Sequence, residues 1–347
     1  MNPIKTALLS YGMSGEIFHA PLLAADPNFS LATVLQRNSD NAKSRYPDIR
    51  IVRTVDDIMK DDSIELIVIN TPNESHFEYT TLALESGKHV VVEKPFTVNV
   101  QEADKLINLA IKKNRLLTVF QNRRWDGDFM TVKKVLENNW VGKVAEFELH
   151  YDRYRNYIEA NTWKEEEGPG TGILYNLGSH MLDQVIMLFG KPNEVDARVG
   201  IQRPNGKVED FYDIRMHYDS FQTIVKSSYL VREATPRYIL HGTEGSFIKY
   251  GIDPQEQALK DGRMPGSASW GCEGKEFWGK LNTTLGGLHY DGLVETLPGN
   301  YSAFYKNVFG AIRNNEPLAV RPEESRDVIR LIEACYESHK MRKAIKV

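Results

Sequence analysis

The stretch His89-Val90-Val91-Val92-Glu93-Lys94-Pro95 decides how this chain is read. Three consecutive β-branched residues, with Gly87 just before, make a buried strand, because such side chains are stiff and pack well on a pleated surface. The strand stops abruptly on a charged pair and a proline. In an open parallel sheet, ligands collect outside the carboxyl ends of the strands. Glu93 and Lys94 therefore stand where a bound molecule would lie. Taken alone, Glu-Lys-Pro would be a solvated turn; the flanking sequence argues otherwise.

Upstream, residues 4–9 read as strand, Ser10 to Gly15 as a glycine-containing turn, and the chain through Ala25 as helix. Residues 31–35, 50–52 and 64–69 are further strands, the last ending at Asn70-Thr71-Pro72. A helix over 74–86 stops at Gly87. Beyond the Glu-Lys-Pro strand come a helix over 100–113 and a sixth strand over 116–120. Strands alternating with helices predict βαβ units and a parallel sheet.

After residue 121 the texture changes. A helix over 126–138 precedes a strand-like 143–151, a glycine-rich loop over 168–172 and an apolar helix over 174–189 closed by Gly190. Residues 195–201, 211–218, 223–230, 238–241 and 246–250 alternate apolar and polar without intervening helices, which predicts an antiparallel or mixed sheet. Residues 261–299 are glycine-rich and carry no assignment. Helices over 301–314 and 322–343 close the chain. The expected fold class is α/β. A doubly wound parallel Rossmann domain spans residues 1–121. An α+β domain with a large open, mostly antiparallel sheet spans 122–347, its terminal helix packing back on the first domain.

Bulk properties bound the function. A chain of 347 residues is long for one core, so two domains are expected. Hydrophobic residues at 41% and charged residues at 26% fit a soluble globular protein. A formal charge of −4 without a basic run argues against nucleic acid or an anionic membrane as partner. Cys272 and Cys335 are too few for a disulfide framework and lack metal-ligand spacing, so no metal site is expected. No stretch approaches the roughly 20 apolar residues of a membrane span. The first apolar run is too short for a signal peptide, and a cytoplasmic location is expected.

Ser10-x-Gly12-x-x-Gly15 has the spacing of a dinucleotide fingerprint, with serine in the first glycine position. Tyr11, Gly12, Met13, Ser14 and Gly15 are the candidate pyrophosphate-binding residues, since the helix start behind them offers unpaired N–H groups. In such folds a carboxylate about 20 residues on binds the free ribose of NAD. Here the second strand runs into Gln36-Arg37-Asn38-Ser39, with no carboxylate before Asp40. The planar donor fork of Arg37 suits a 2′-phosphate, with Ser39 as second donor. NADP is favoured and NAD remains possible; a solvated arginine is the plain alternative.

These motifs occur in an order that resembles the glucose–fructose oxidoreductase / inositol dehydrogenase / MocA family. They are Ser10-x-Gly12-x-x-Gly15, Thr71-Pro72-Asn73-x-x-His76, Glu93-Lys94-Pro95 and Gly170-x-Gly172-x-x-x-Asn176-x-x-x-His180. The resemblance covers essentially the whole chain, and the joint order is more specific than any one motif. Residues 122–126, 174–180 and 246–251 are similar to the NADP-dependent scyllo-inositol dehydrogenase branch. The resemblance implies a Rossmann domain followed by an open-sheet domain that often mediates homo-oligomers. It also implies a cis Lys94–Pro95 bond, with Lys94 as catalytic lysine and His180 as the proton-transferring histidine at a substrate carbinol carbon. Asn176 stands where the family has an aspartate, so the usual carboxylate–histidine relay lacks its carboxylate at that position.

The chemistry fits those residue types. Oxidising a secondary alcohol removes a hydroxyl proton as hydride leaves the same carbon, and a base near neutral pKa is needed. A lysine ammonium stabilises the negative charge that develops on the oxygen. Asn176 and His180, four apart on a helix, share a face, and Asp183 offers a second proton acceptor. Thr71, Pro72, Asn73, His76, Glu93, Lys94, Arg124 and Trp125 complete the candidate cofactor contacts. Lys94, Tyr154, Trp163, Asn176 and His180 are the candidate substrate contacts, with Arg153 and Arg155 beside Tyr154. The expected function is hydride transfer between NADP(H) and a ring hydroxyl of a cyclic polyol or sugar, scyllo-inositol-like substrates favoured. A catalytically weak NADP-binding regulator or sensor is the alternative that Asn176 keeps open. An NAD-assisted glycosidase is disfavoured, because the second strand does not end in a carboxylate. A homodimer or higher homo-oligomer is expected, with Phe211, Tyr218, Phe221 and Tyr229 as a candidate interface.

Overall fold

Six strands build the first sheet: β1 (Ile4–Leu8), β2 (Phe29–Leu35), β3 (Arg50–Val52), β4 (Leu66–Ile69), β5 (His89–Val92) and β6 (Leu117–Val119). The computed structural model describes residues 2–160 and 162–347. The sheet order is β3-β2-β1-β4-β5-β6, every pairing parallel. That is a doubly wound Rossmann sheet, whose strand order reverses between β1 and β4. Leu66 to Ile69 and Val90 to Val92 are completely buried, as strands covered on both faces must be. Strands β1, β4 and β5 lie side by side in that order, so their carboxyl ends place Ser10, Asn70 and Glu93 along one edge.

Local signals set the helix bounds. The helix Val100–Lys113 is capped by Asn99, whose side chain accepts the Glu102 amide at 2.9 Å while its own amide reaches the Glu102 carboxylate at 3.0 Å. The cap satisfies one of the amides that a helix start leaves open, and the side chain-to-side chain bond holds the capping rotamer. The unit that contains this sheet comprises residues 1–125, 255–270 and 300–326. Its helices Gln255–Lys260 and Ser302–Asn314 are separated from the sheet by more than a hundred residues of sequence. Phe304 packs edge-on against Phe120, with ring centroids 4.9 Å apart.

The second unit comprises residues 126–254, 271–299 and 327–347. Its nine strands are β7 (Val144–His150), β8 (Glu194–Gly200), β9 (Phe211–His217), β10 (Gln222–Ser228), β11 (Tyr238–Gly242), β12 (Gly245–Lys249), β13 (Gly279–Leu285), β14 (Leu288–Val294) and β15 (Ile345–Lys346). They lie in the order β14-β13-β12-β11-β7-β10-β9-β8-β15. Among the described residues only the β7–β10 pairing is parallel, so the sheet is mostly antiparallel, in agreement with the alternation of its sequence. Phe147 and Leu149 point to the covered face and are fully buried, while Glu146, Glu148 and His150 line the other face.

Three features depart from expectation. The helix over 174–189 opens with a π turn, Leu174–Gly178, before the α-helix Ser179–Phe189, and the nucleotide helix likewise opens with the π turn Gly15–His19. The unassigned segment contains the β13–β14 hairpin, closed by the two-residue loop Gly286-Gly287. Of the aromatic residues offered as an interface, three pack against neighbouring side chains, while Phe211 is half-buried on the uncovered face of β9. Tyr218 stacks on Phe221 at 4.5 Å beside Phe189, and Tyr229 is buried beneath the Arg203 guanidinium. The large apolar side chains left exposed include Leu288 and Leu293 on β14 instead. Among the described residues, no helix is long and apolar enough to cross a membrane.

Candidate active site

The turn after β1 has the form that a pyrophosphate requires. The Ser10 hydroxyl accepts the Gly12 amide at 3.1 Å, so serine closes the turn from the first glycine position. Asn70, buried at the end of β4, donates to the Ser10 carbonyl at 2.8 Å. A Cβ on Gly15 would lie 2.4 Å from that carbonyl and 2.7 Å from the Asn70 amide nitrogen, so only glycine fits. The amide oxygen of Asn70 is buried without a hydrogen-bond partner among the described residues, an acceptor open to a donor on a bound cofactor. Tyr11 is buried, with its pKa raised by burial and by Glu16, while Gly12 and Met13 are exposed and Ser14 half-exposed. A tight turn, close backbone approach and a helix start behind it fit a dinucleotide.

At the end of β2, Arg37 is exposed and its guanidinium donates to the Tyr79 hydroxyl at 3.3 Å. The Ser39 hydroxyl accepts from Gln36 at 2.8 Å and donates to Asn41 at 3.0 Å. Thr71 is held by Ser75 at 2.7 Å, and Pro72 and Asn73 follow it into a short turn. His76 is fully buried: its ring nitrogens lie 2.8 Å from the Pro95 carbonyl and 3.0 Å from the Thr71 carbonyl. Burial lowers its pKa, and a neutral ring donates to only one of the two. The structure thus places His76 behind the Glu-Lys-Pro turn as a backbone tie.

Glu93 is also turned inward. One carboxylate oxygen lies 3.0 Å from His19 Nε2 and the other accepts the Lys94 amide at 2.9 Å. His19 Nδ1 lies 2.7 Å from the Tyr305 hydroxyl. Burial pushes the Glu93 pKa up, but the hydrogen bond and charge of His19, with Lys94, outweigh it and hold the carboxyl below its usual range. Lys94 is half-buried between buried neighbours, and the Lys94–Pro95 bond is cis. Arg124 is buried against the Ala319 carbonyl at 2.8 Å and Glu324 at 2.9 Å; Trp125 is half-buried, and its carbonyl accepts the Asn300 amide at 2.9 Å.

In the second unit the glycine-rich loop leads directly into the Asn176–His180 segment. A Cβ on Gly172 would lie 2.1 Å from the Glu209 carboxylate, and the loop is fixed where Ile173 N–H meets the Glu209 carbonyl at 3.0 Å. Asn176 is half-buried while Ile173 to Tyr175 and Leu177 to His180 are buried, so it is the residue that this run presents outward. His180 follows at the start of the α-helix, and Asp183 lies one turn on and is buried. π turns recur at functional sites, and this one sets the spacing of Asn176 and His180. The remaining candidates separate. Tyr154 lies under the Arg232 guanidinium at 4.2 Å, Arg153 stacks on Tyr151 at 5.3 Å, and Arg155 on Tyr229 at 5.5 Å. Trp163 instead walls a cleft of about 390 Å³ with Ile158, Glu166 and Lys207.

Sequence reasoning did not anticipate His19, Asn70 or Tyr305. Each acts through a partner 60 or more residues away, and no local pattern marks it.

A nucleotide turn on a doubly wound sheet, joined to a second unit with a mostly antiparallel sheet, defines a dinucleotide-dependent oxidoreductase. Residues 4–121 match the family model for the NAD-binding Rossmann fold of the Gfo/Idh/MocA oxidoreductases, and residues 133–347 match that of their C-terminal alpha/beta domain. The chain belongs to the Gfo/Idh/MocA oxidoreductase family. It is 40% identical to scyllo-inositol 2-dehydrogenase (NADP(+)) IolW of Bacillus subtilis, over 99% of this chain and 96% of that one. It is 39% identical to the oxidoreductase YdgJ of Escherichia coli, over 98% and 97%. The solved structure of the oxidoreductase YvaA from Bacillus subtilis superposes with a TM-score of 0.97 at 39% identity, covering 100% of this chain and 99% of that one.

Proposed function

We propose that this oxidoreductase is an NADP-dependent dehydrogenase acting on a ring hydroxyl of a cyclic polyol or sugar, with scyllo-inositol-like substrates favoured. The near-full-length similarity to a scyllo-inositol dehydrogenase carries the reading. NADP, once bound, supplies the hydride acceptor. Gly12 to Gly15 hold the pyrophosphate, and Arg37 with Ser39 faces the 2′-phosphate. The Lys94 ammonium holds the substrate oxygen and stabilises its developing charge. His180 takes the hydroxyl proton and Asn176 hydrogen-bonds the polyol, with Asp183 as the next proton acceptor. Tyr154 and Trp163 contribute to substrate contact in the same reading.

The test is a panel of inositols and sugars with NADP and with NAD, followed by absorbance of the reduced nicotinamide. Turnover of an inositol with NADP preferred is expected. Tight NADP binding without turnover of any polyol would favour the sensor, the reading that Asn176 supports. A cytoplasmic homodimer or higher homo-oligomer belongs to the same proposal; a monomer mass by light scattering at micromolar concentration would refute the assembly.

A further inference from the structure

The loop that carries Arg37 and Ser39 is held by an arginine outside it. Arg53, just after β3, donates through Nη1 to the Gln36 carbonyl at 2.6 Å and the Ser39 carbonyl at 2.7 Å. Its Nη2 donates to the Asp40 carboxylate at 2.7 Å. From inside, the buried Gln36 side chain completes the frame, donating to Ser39 and Asn41 and accepting the Ala42 amide at 3.1 Å. Asp40 is the one carboxylate between Gln36 and Asn41. Left unpaired, it would oppose a phosphate dianion and suit a free ribose diol.

We propose that Arg53 is a specificity-determining positioning residue for NADP. It fixes the backbone on either side of Arg37 and cancels the charge of Asp40, so that a 2′-phosphate meets a loop with net positive charge. This inference rests on the NADP reading above. The guanidinium reaches its three acceptors from two nitrogens of one rigid fork, a spread that the single nitrogen of a lysine does not offer. Both side chains of the Arg53–Asp40 pair are about half exposed, at 50% and 55%. Such a pair contributes little to folding, so its removal leaves a folded protein to measure.

The experiment is calorimetric titration of the full chain with adenosine 2′,5′-bisphosphate and with 5′-AMP, which differ by the 2′-phosphate. Wild type should bind the bisphosphate more tightly. Arg53→Ala should weaken bisphosphate binding about tenfold and 5′-AMP binding less than twofold, because the loop no longer holds Arg37 in place and Asp40 is left to oppose the 2′-phosphate. Asp40→Asn in the Arg53→Ala background should recover about threefold for the bisphosphate alone, by removing the exposed opposing charge. Arg53→Lys should fall between wild type and Arg53→Ala. Equal binding of both probes by wild type would overturn the NADP reading, and this inference with it. A wild type that prefers the bisphosphate, with Arg53→Ala unchanged or weakened equally for both probes, would overturn the inference alone. Failure of Asp40→Asn to recover binding would also overturn it.

Discussion

Glu93 and His19, 74 residues apart, meet at 3.0 Å in the interior and tie the helix after the nucleotide turn to the lysine that follows β5. The second carboxylate oxygen holds the Lys94 amide, so the position of Lys94 depends on a residue of the first βα unit. A buried carboxylate is stable only when its charge is met by hydrogen bonds and an opposing partner. His19→Phe keeps the ring volume and removes the partner. Chemical denaturation should show a loss of about 3–5 kcal/mol, with partial recovery in His19→Phe/Glu93→Gln. A loss under about 1 kcal/mol, the scale of an exposed pair, would mean that Glu93 does not depend on His19.

Acid sensitivity should come in part from Glu256. Burial raises its pKa, but Arg123, at 2.5 Å, together with Lys260 outweighs burial and brings it to about 2. A carboxyl whose folded pKa is lowered contributes stability above its unfolded value near 4.5, and loses it as pH falls toward 2. Wild type should therefore lose on the order of 2 kcal/mol from this group between about pH 5 and pH 2. Glu256→Gln should be less stable at pH 7 and show a flatter decline across that window, read from urea midpoints against pH. Parallel declines for the two proteins would place the acid sensitivity elsewhere.

Much of the first unit was legible because its strands are short β-branched runs that stop at glycine, proline or a capping residue. Val90 to Val92 and Leu66 to Ile69 advertise burial on both faces, and the second sheet advertises its open face by alternation. The π turns were not legible, because apolar spacing over five residues does not distinguish a π turn from an α turn. The β13–β14 hairpin did carry a local signal, a Gly-Gly pair between two alternating runs, hidden by the glycines around it. The ties that organise the site were beyond local reading. Glu93, His76 and Arg124 were expected to touch the cofactor; their side chains are bound to protein groups, remote in sequence for Glu93 and Arg124 and at the Thr71 and Pro95 carbonyls for His76.

Cofactor preference should follow Arg37. Its guanidinium is exposed and, among the described residues, bonded only at 3.3 Å to a neutral hydroxyl, so its charge is open to a 2′-phosphate. Arg37→Ala removes a charge-assisted hydrogen bond worth about 1.5–3 kcal/mol. The dissociation constant for NADP should rise roughly 10- to 100-fold, while that for NAD changes little. Equal losses for both cofactors would give Arg37 another task.

Asn176 separates the dehydrogenase from the sensor. The π turn presents it outward one turn before His180, at the position where the family resemblance implies an aspartate. If His180 is the base, with Lys94 stabilising charge, turnover does not need a carboxylate at 176, because the imidazole can release its proton to water or toward Asp183. Removing a positioned base costs about 10²–10⁴-fold in rate, so His180→Ala should lose that much in kcat. Asn176→Asp should change the rate by less and can raise it, since a new carboxylate on the same side of the helix accepts a proton. That negative charge also favours the imidazolium, so the acidic limb of kcat/KM should move to higher pH. Steady-state kinetics against pH on one oxidised polyol, for wild type and both variants, measures each of these. Turnover by Asn176→Asp but not by wild type would make the natural protein an NADP-binding sensor with a dormant site. An acidic limb unmoved by the aspartate would remove His180 as the group that sets it.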